Sequence, residues 1–261
     1  APINPNILDL FQKLDIPLFE GWGLTETTAG ATLNFAGNNK IGSVGKPLPS
    51  TEVKVAKDGE LLVKGDHIMK GYYNNPEATS KEIIDNWFHT GDVGEIDNNG
   101  FVSITGRKKE IYVSSAGKNI APLVIEETMK SIPLVSQCFL VGDNKNYCTA
   151  LITLDVGVIL RDKFSMDSNK IPKDPGEQLK VLISKGKKLD DFTSSEEIFG
   201  EIEIKINELN NEFSNPEQIK KFTILPRDFT IDNGELTPTL KIRRKQILEN
   251  WSSEVNSMYE K

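Results

Sequence analysis

Between Gly106 and Asn119 the chain reads GRKKEIYVSSAGKN, and the character of the sequence changes on either side of it. Upstream lie short alternating runs broken by glycine turns. Downstream lie longer apolar and charged stretches with helical spacing. A cationic run ending in a small, flexible Ser-Ser-Ala-Gly segment at such a change predicts two folded units and a connector, not one continuous core. A chain of 261 residues is long enough to give each unit its own core.

Composition narrows the class. Hydrophobic residues at 38% and charged residues at 26% describe a globular protein. Lys+Arg 31 against Asp+Glu 38 leaves a net charge of -7, which argues against general nucleic-acid binding. No apolar run approaches the roughly 20 residues that span a bilayer, and no signal-like segment opens the sequence. Cys138 and Cys148 have neither a CxxC spacing nor a histidine partner, so they are expected to stay reduced and buried. The expected setting is cytoplasmic.

Read in order, Asn4 is a candidate N-cap with Pro5 in the first turn, and Ile7, Leu10, Phe11 and Leu14 share one helical face. Ile16 to Phe19 reads as a short buried strand delivering Glu20-Gly21-Trp22-Gly23 at its C-terminal end, where ligands bind in open α/β sheets. From residue 41 to 107 a small β-barrel or meander is expected, with hairpin turns at Asp58-Gly59 and Asn98-Asn99-Gly100. Asn75-Pro76 starts a short helix through Ile83 and Ile84. After Lys109, Pro122 opens a helix whose Ile125, Met129 and Ile132 share a face. Strands follow at Cys138–Val141 and Thr149–Leu154, then a charged helical insert over 156–215, and a strand at Lys221–Leu225. One last helix carries Leu248, Trp251, Val255 and Met258. The fold class is α+β: an α/β edge over residues 1–40, the β-barrel-like part over 41–107, and a compact α+β unit over 108–261.

Four motifs carry chemistry. In Gly21-Trp22-Gly23-Leu24-Thr25-Glu26-Thr27 the glycines let backbone approach a ligand, the ring offers a stacking surface, and the carboxylate suits a magnesium ion carried by phosphates. A Gly-x-Gly turn before a helix is also a common plain turn. In Trp87-Phe88-His89-Thr90-Gly91-Asp92 a carboxylate between strands can accept both hydroxyls of a ribose, although Asp92 also suits a turn cap and His89 simple packing. Arg107 can reach a phosphate or ribose, while Lys108 and Lys109 also suit a solvated face. Leu236-Thr-Pro-Thr-Leu-Lys241-Ile-Arg-Arg244 places a lysine in a turn before a helix, where a compact ammonium can meet phosphoryl charge or simply face water.

In this order and spacing the four motifs resemble the adenylate-forming superfamily of acyl-CoA synthetases, adenylation domains and luciferases. The resemblance runs from Ala1 to at least Arg244 and includes Gly65-Asp-His-Ile-Met-Lys-Gly-Tyr-Tyr-Asn74. The Leu236–Lys241 segment and the charged insert are most similar to long-chain fatty acyl-CoA synthetases, the bubblegum-type branch among them. The resemblance implies that Trp22 packs on adenine beside Gly23, Thr25 binds the α-phosphate, and Glu26 holds Mg²⁺. It implies Asp92 and Arg107 on the ribose, Lys109 as the hinge, and Ser115, Ala116 and Gly117 along the CoA tunnel. Lys241 would bridge the carboxylate and the α-phosphate.

The implied activity is ligation of a long-chain fatty acid to CoA with ATP, through acyl-AMP, the C-terminal unit turning as a lid between the two steps. Leu240 departs from the family's usual glycine before the lysine. The Ser/Thr/Gly-rich phosphate loop is absent, so the sequence is expected to be the C-terminal portion of a longer synthetase, with little activity by itself. Two other readings stay open at this point: an acyl-AMP ligase that loads a carrier protein, and a non-catalytic nucleotide-binding module. Acyl length, oligomeric state and contact of the insert with a membrane periphery are not legible in the sequence.

Overall fold

The computed structural model describes residue 3, residues 5–115 and residues 117–260. Asn4 and Ala116 lie outside the described residues, so the N-cap expectation and one member of the CoA loop are not addressed by it. The fold is α+β, and it divides into two compact units, Ala1–Ile111 and Tyr112–Lys261.

In the first unit, helix α1 (Pro5–Lys13) precedes a small antiparallel sheet of β1 (Gly21–Trp22), β2 (Thr32–Leu33) and β3 (Lys46–Pro47). The strand expected at Ile16–Phe19 is not found. No strand among the described residues pairs with that backbone, whose Ile16 N bonds instead to Phe11 O, and Ile16, Leu18 and Phe19 are exposed. Apolar composition does not make a strand where no neighbouring strand completes the ladder.

A second sheet holds β4 (Thr51–Val55), β5 (Glu60–Gly65), β6 (Ile83–Ile84), β7 (Trp87–Ile96) and β8 (Val102–Arg107), all antiparallel. Its order is β4-β5-β7-β6, with β8 also on β7. This is the antiparallel barrel-or-meander arrangement expected over 41–107, and the outer side of β8 is bonded in turn by Val44 and Gly45, through Val44 N to Val102 O and Val102 N to Gly45 O. Both hairpin turns fall where Asp58-Gly59 and Asn99-Gly100 put them, with Gly59 at φ 85° and Gly100 at φ 82°. Helix α2 (Pro76–Glu82) is capped by the Asn75 side chain on Ala78 N and ends before Ile83, which pairs with Phe88 as strand. The core of the unit is Trp22, Ala31, Leu61, Val63 and Val102, flanked by Leu24, Val44 and Val53.

The second unit opens with a two-stranded ribbon, β9 (Tyr112–Val113) and β10 (Asn119–Ile120), followed by α3 (Pro122–Met129). Strands β11 (Val135–Val141) and β12 (Cys148–Leu154) pair antiparallel. Helices α4 (Val156–Phe164), α5 (Pro175–Ser184), α6 (Asp190–Thr193) and α7 (Glu196–Asn210) lead to β13 (Ile219–Ile224), which joins β12 in parallel. A parallel return requires a long crossover, and the helical segment 156–215 supplies it.

Every residue of β12 is buried, so this sheet is covered on both faces. Alternation sorts its side chains. Cys138, Leu140, Ala150 and Ile152 join one cluster with Ile125, Met129, Ile159, Leu160, Ile202 and Ile206. Phe139, Val141 and Leu151 join the other with Phe229, Leu236, Ile247, Trp251, Val255 and Met258. The expected last helix is two, α8 (Arg244–Asn250) and α9 (Ser252–Tyr259), meeting at Trp251. That break puts Ile247 inside and leaves Leu248 exposed. Cys138 and Cys148 are buried and free. No helix of the described residues is long and apolar enough to cross a membrane.

Candidate functional site

In the first unit the structure brings Trp22, Asp92 and Arg107 together. Asp92 and Arg107 are register partners on β7 and β8, which aims the two side chains at one another across the ladder. Arg107 Nε donates to Asp92 Oδ1 at 2.9 Å, and Trp22 Nε1 donates to Asp92 Oδ2 at 2.8 Å. Both carboxylate oxygens are thus engaged and fixed in orientation. Asp92 is buried, whereas half of the Arg107 side chain faces solvent. Trp22 keeps only 8% of its surface exposed and packs in the core. The edge of this largely buried ring holds Asp92.

Gly23 lies where a Cβ would meet Ala29 O at 1.7 Å, so only glycine fits this turn. Close backbone approach, not φ > 0, is the reason for glycine here. Thr25–Thr27 forms a 3₁₀ turn, followed by Thr28 at φ 51° and Ala29 at φ 91°, a strained pair in a left-handed region. Thr25 is exposed at the surface of this turn, while Thr27 is buried and accepts from Leu24 N. Glu26 is half-buried and accepts from Tyr72 Oη at 2.9 Å. Burial, with the Glu26 carboxylate next, pushes the Tyr72 hydroxyl up to about 12, so it remains a donor. Tyr73, its neighbour, is almost fully exposed.

A carboxylate steadied by one hydroxyl is a donor of the right chemistry for a magnesium ion that arrives with phosphates, since Mg²⁺ needs only one or two protein carboxylates there. No group of three or more acidic, His or Cys residues fit to hold a metal without a ligand's help occurs among the described residues. A cleft of about 390 Å³ in this unit is lined by Leu8, Gln12, Ile16, Phe19 and Ile41 among others and contains none of these residues.

Sequence reading missed a second cluster beside Arg107. Lys108 Nζ pairs with Asp58 Oδ2 at 2.7 Å and with Glu60 Oε2 at 3.0 Å. Glu60, buried, also accepts from Gly91 N and has His89 Nδ1 at 3.1 Å. Burial pushes Glu60 up, but His89, Lys108 and Gly91 outweigh it and hold the carboxyl below its ordinary value. Lys108, exposed but ion-paired, therefore ties its turn to Asp58 and Glu60, and His89 is a polar partner and not simple packing. Lys109 is exposed within the 3₁₀ turn Lys108–Glu110.

In the second unit, Ser115 and Gly117 lie in the loop joining β9 and β10. Ser115 donates through N to Lys145 O and through Oγ to Asn146 Oδ1, and Gly117, exposed at φ 75°, donates to Ser114 O. Lys241 sits on a separate loop. Thr237 N donates to Lys241 O, and Lys241 N returns a bond to Thr237 Oγ1, closing a turn over Pro238 to Leu240. The Lys241 side chain is exposed. Leu240 has φ 60°, the left-handed conformation a glycine adopts without strain. Its departure from the family's glycine is thus a substitution at a position that keeps the glycine's backbone shape.

The comparison with known proteins follows the same division. The AMP-binding enzyme family matches residues 1–73, and its C-terminal domain matches residues 109–168 and 175–261. The chain belongs to the AMP-binding enzyme family. Among its relatives is the long-chain-fatty-acid–CoA ligase FadD15 of Mycobacterium bovis, 38% identical over 261 residues, which cover 100% of this chain and 41% of the relative. The long-chain-fatty-acid–CoA ligase ACSBG2 of Gallus gallus is 31% identical over 269 residues, 99% of this chain and 35% of its own length. The chain thus spans well under half the length of these AMP-binding relatives. A solved structure of the same fold is the adenylation domain of a carboxylate reductase from Mycobacterium chelonae, with TM-score 0.71 at 19% identity, covering 99% of this chain and 37% of that one.

Proposed function

We propose that the chain is the C-terminal part of an ATP-dependent long-chain fatty acid–CoA ligase. What carries this reading is the end-to-end match to proteins of that activity in both the FadD15 and ACSBG groups. The residues fit the two half-reactions. Asp92, oriented by Trp22 and Arg107, receives the ribose hydroxyls of ATP; Thr25, exposed on its turn beside Gly23, meets the α-phosphate. Glu26, steadied by Tyr72, holds the magnesium ion that neutralises phosphate charge. Lys241, exposed on its own loop, supplies an ammonium between the fatty carboxylate and the α-phosphate.

The carboxylate attacks the α-phosphorus, acyl-AMP forms and pyrophosphate leaves. The protein contributes position and charge more than covalent chemistry. Rotation about Lys109 then brings the Ser115–Gly117 loop to the site. The CoA thiol attacks the acyl carbonyl there, and AMP leaves. The protein works in the cytoplasm, in peripheral contact with membranes.

The test is Lys241→Ala in the complete protein. Acyl-AMP formation from ATP and hexadecanoate should be lost, while thioester formation from supplied hexadecanoyl-AMP and CoA persists. Equal loss of both half-reactions would remove Lys241 from its role. Transfer to a carrier protein in place of CoA would replace the acceptor in this reading.

A further inference from the structure

The loop carrying Lys241 is held at both feet by buried ion pairs, and nothing in the motif itself announces them. Its first foot is Glu235, completely buried. Arg227 grips this carboxylate with both Nη atoms, at 2.6 and 2.9 Å. Thr230 N, Asn250 Nδ2 and Trp251 Nε1 donate to it as well. Bidentate guanidinium pairing with every remaining acceptor position filled is the arrangement that makes burying a charge tolerable, and it leaves one allowed orientation.

The second foot is Arg244, three residues beyond Lys241. Its Nη1 and Nη2 donate to Glu126 at 2.9 and 2.6 Å, and Nη1 also donates to Tyr112 Oη at 2.9 Å. Glu126 accepts from Leu140 N, and Tyr112 Oη donates to Leu140 O. The guanidinium also lies over the Tyr112 and Phe139 rings. Between the feet the backbone closes on itself: Arg243 N donates to Glu235 O, and Leu236 and Ile242 form a bridge. Lys241 therefore projects from a short hairpin whose ends are fixed to α3, to β11 and to Tyr112, the residue that opens the second unit.

We propose that Glu235 and Arg244 are positioning residues for Lys241. They hold its loop rigid within the second unit, so that rotation about Lys109 carries the ammonium as one body with that unit. A lysine has four rotatable side-chain bonds, so a fixed loop is what limits its search for the phosphate. The proposal rests on the adenylation role given to Lys241 above.

The experiment measures both half-reactions of the complete protein in Arg244→Lys and Trp251→Phe, with Lys241→Ala alongside. Arg244→Lys keeps the charge but loses the fork, and adenylation of hexadecanoate should fall about a hundredfold with thioester formation from hexadecanoyl-AMP nearly unchanged. Trp251→Phe removes the indole donor to Glu235 and shrinks the ring beneath Arg227, while leaving Arg227, Thr230 N and Asn250 on the carboxylate. With folding checked by its melting curve, it should lower adenylation alone to a lesser degree. A merely structural role would depress both half-reactions together, and that result overturns the proposal, as does a wild-type adenylation rate in both variants. If Lys241→Ala itself leaves adenylation intact, it is the functional reading that fails. If Lys241→Ala abolishes adenylation while the other two do not touch it, only the positioning claim fails.

Discussion

Trp22 Nε1 donates to Asp92 Oδ2 at 2.8 Å, joining residues 70 positions apart in the sequence. The indole is both core and orienting group, since its ring packs with Leu61, Val63 and Val102 while its edge fixes a buried carboxylate. Trp22→Phe keeps an apolar ring and deletes the donor. Leaving a buried acceptor short of a partner costs about 1–3 kcal/mol, and the variant should lose stability in that range by urea unfolding. It should also bind AMP more weakly, because Asp92 regains freedom to turn. Unchanged stability together with unchanged AMP affinity would show that Arg107 alone orients the carboxylate.

Gly23→Ala tests the turn that carries Thr25 and Glu26. A methyl group there would fall 1.7 Å from Ala29 O, which is backbone and cannot swing aside. The turn must open, at a cost of about 3 kcal/mol by the usual scale of overpacking. Thermal unfolding should show the loss, and magnesium-dependent ATP binding should fall with it. A neutral Ala variant would mean that the turn relaxes freely and does not set the position of Glu26.

At Leu240 the sign of a substitution can be worked out from two opposing effects. A non-glycine residue at φ 60° carries about 1–2 kcal/mol of left-handed strain. Glycine relieves it but gives back about 0.5–1 kcal/mol through the freedom of the unfolded chain. Leu240 is mostly exposed, so little packing is lost. Leu240→Gly should therefore be stabilising by up to about 1 kcal/mol in denaturant titration. A destabilised variant would place an unrecognised apolar contact at Leu240.

Residues whose role depends on local text were legible in advance. The hairpin turns at Gly59 and Gly100 and the helix opening at Pro122 follow from turn and cap chemistry, and the β11–β12 pair from two apolar runs. What escaped was long-range. Nothing near Glu235 announces Arg227 and Trp251, and nothing near Glu126 announces Arg244, 118 positions away. The Ile16–Phe19 strand failed for the converse reason, since apolar text cannot say whether a pairing strand exists. The bond from the Trp22 edge to Asp92 was likewise not legible, because a motif gives residue type and not orientation.

Acid should act through Glu60. Its carboxyl is held below the ordinary value of 4.5 by His89, Lys108 and Gly91 N against the effect of burial. A depressed folded value means that the stabilisation is complete above about pH 4.5 and is lost as pH falls through the folded value. Glu60→Gln should then be less stable than the wild type at neutral pH, with the gap closing as the solution is acidified. Melting curves across this range decide it; a gap independent of pH would show that Glu60 carries no linked proton.

The pivot proposed at Lys109 is bracketed by anchors that belong to different units. Lys108 is tied to Asp58 and Glu60 in the first, and Tyr112 is tied to Leu140 and Arg244 in the second. Lys109, Glu110 and Ile111 lie between. Lys109 is in a 3₁₀ turn, whose φ of about −50 to −70° coincides with the value near −65° that proline imposes. Lys109→Pro should therefore be accepted by this backbone and should fix it. Acyl-AMP formation should persist while thioester formation is lost, a split that a general folding defect does not produce. Lys109→Ala separates the effect of the lost charge, since it removes the ammonium and leaves φ free. An overall ligation rate unchanged by proline would move the pivot away from Lys109.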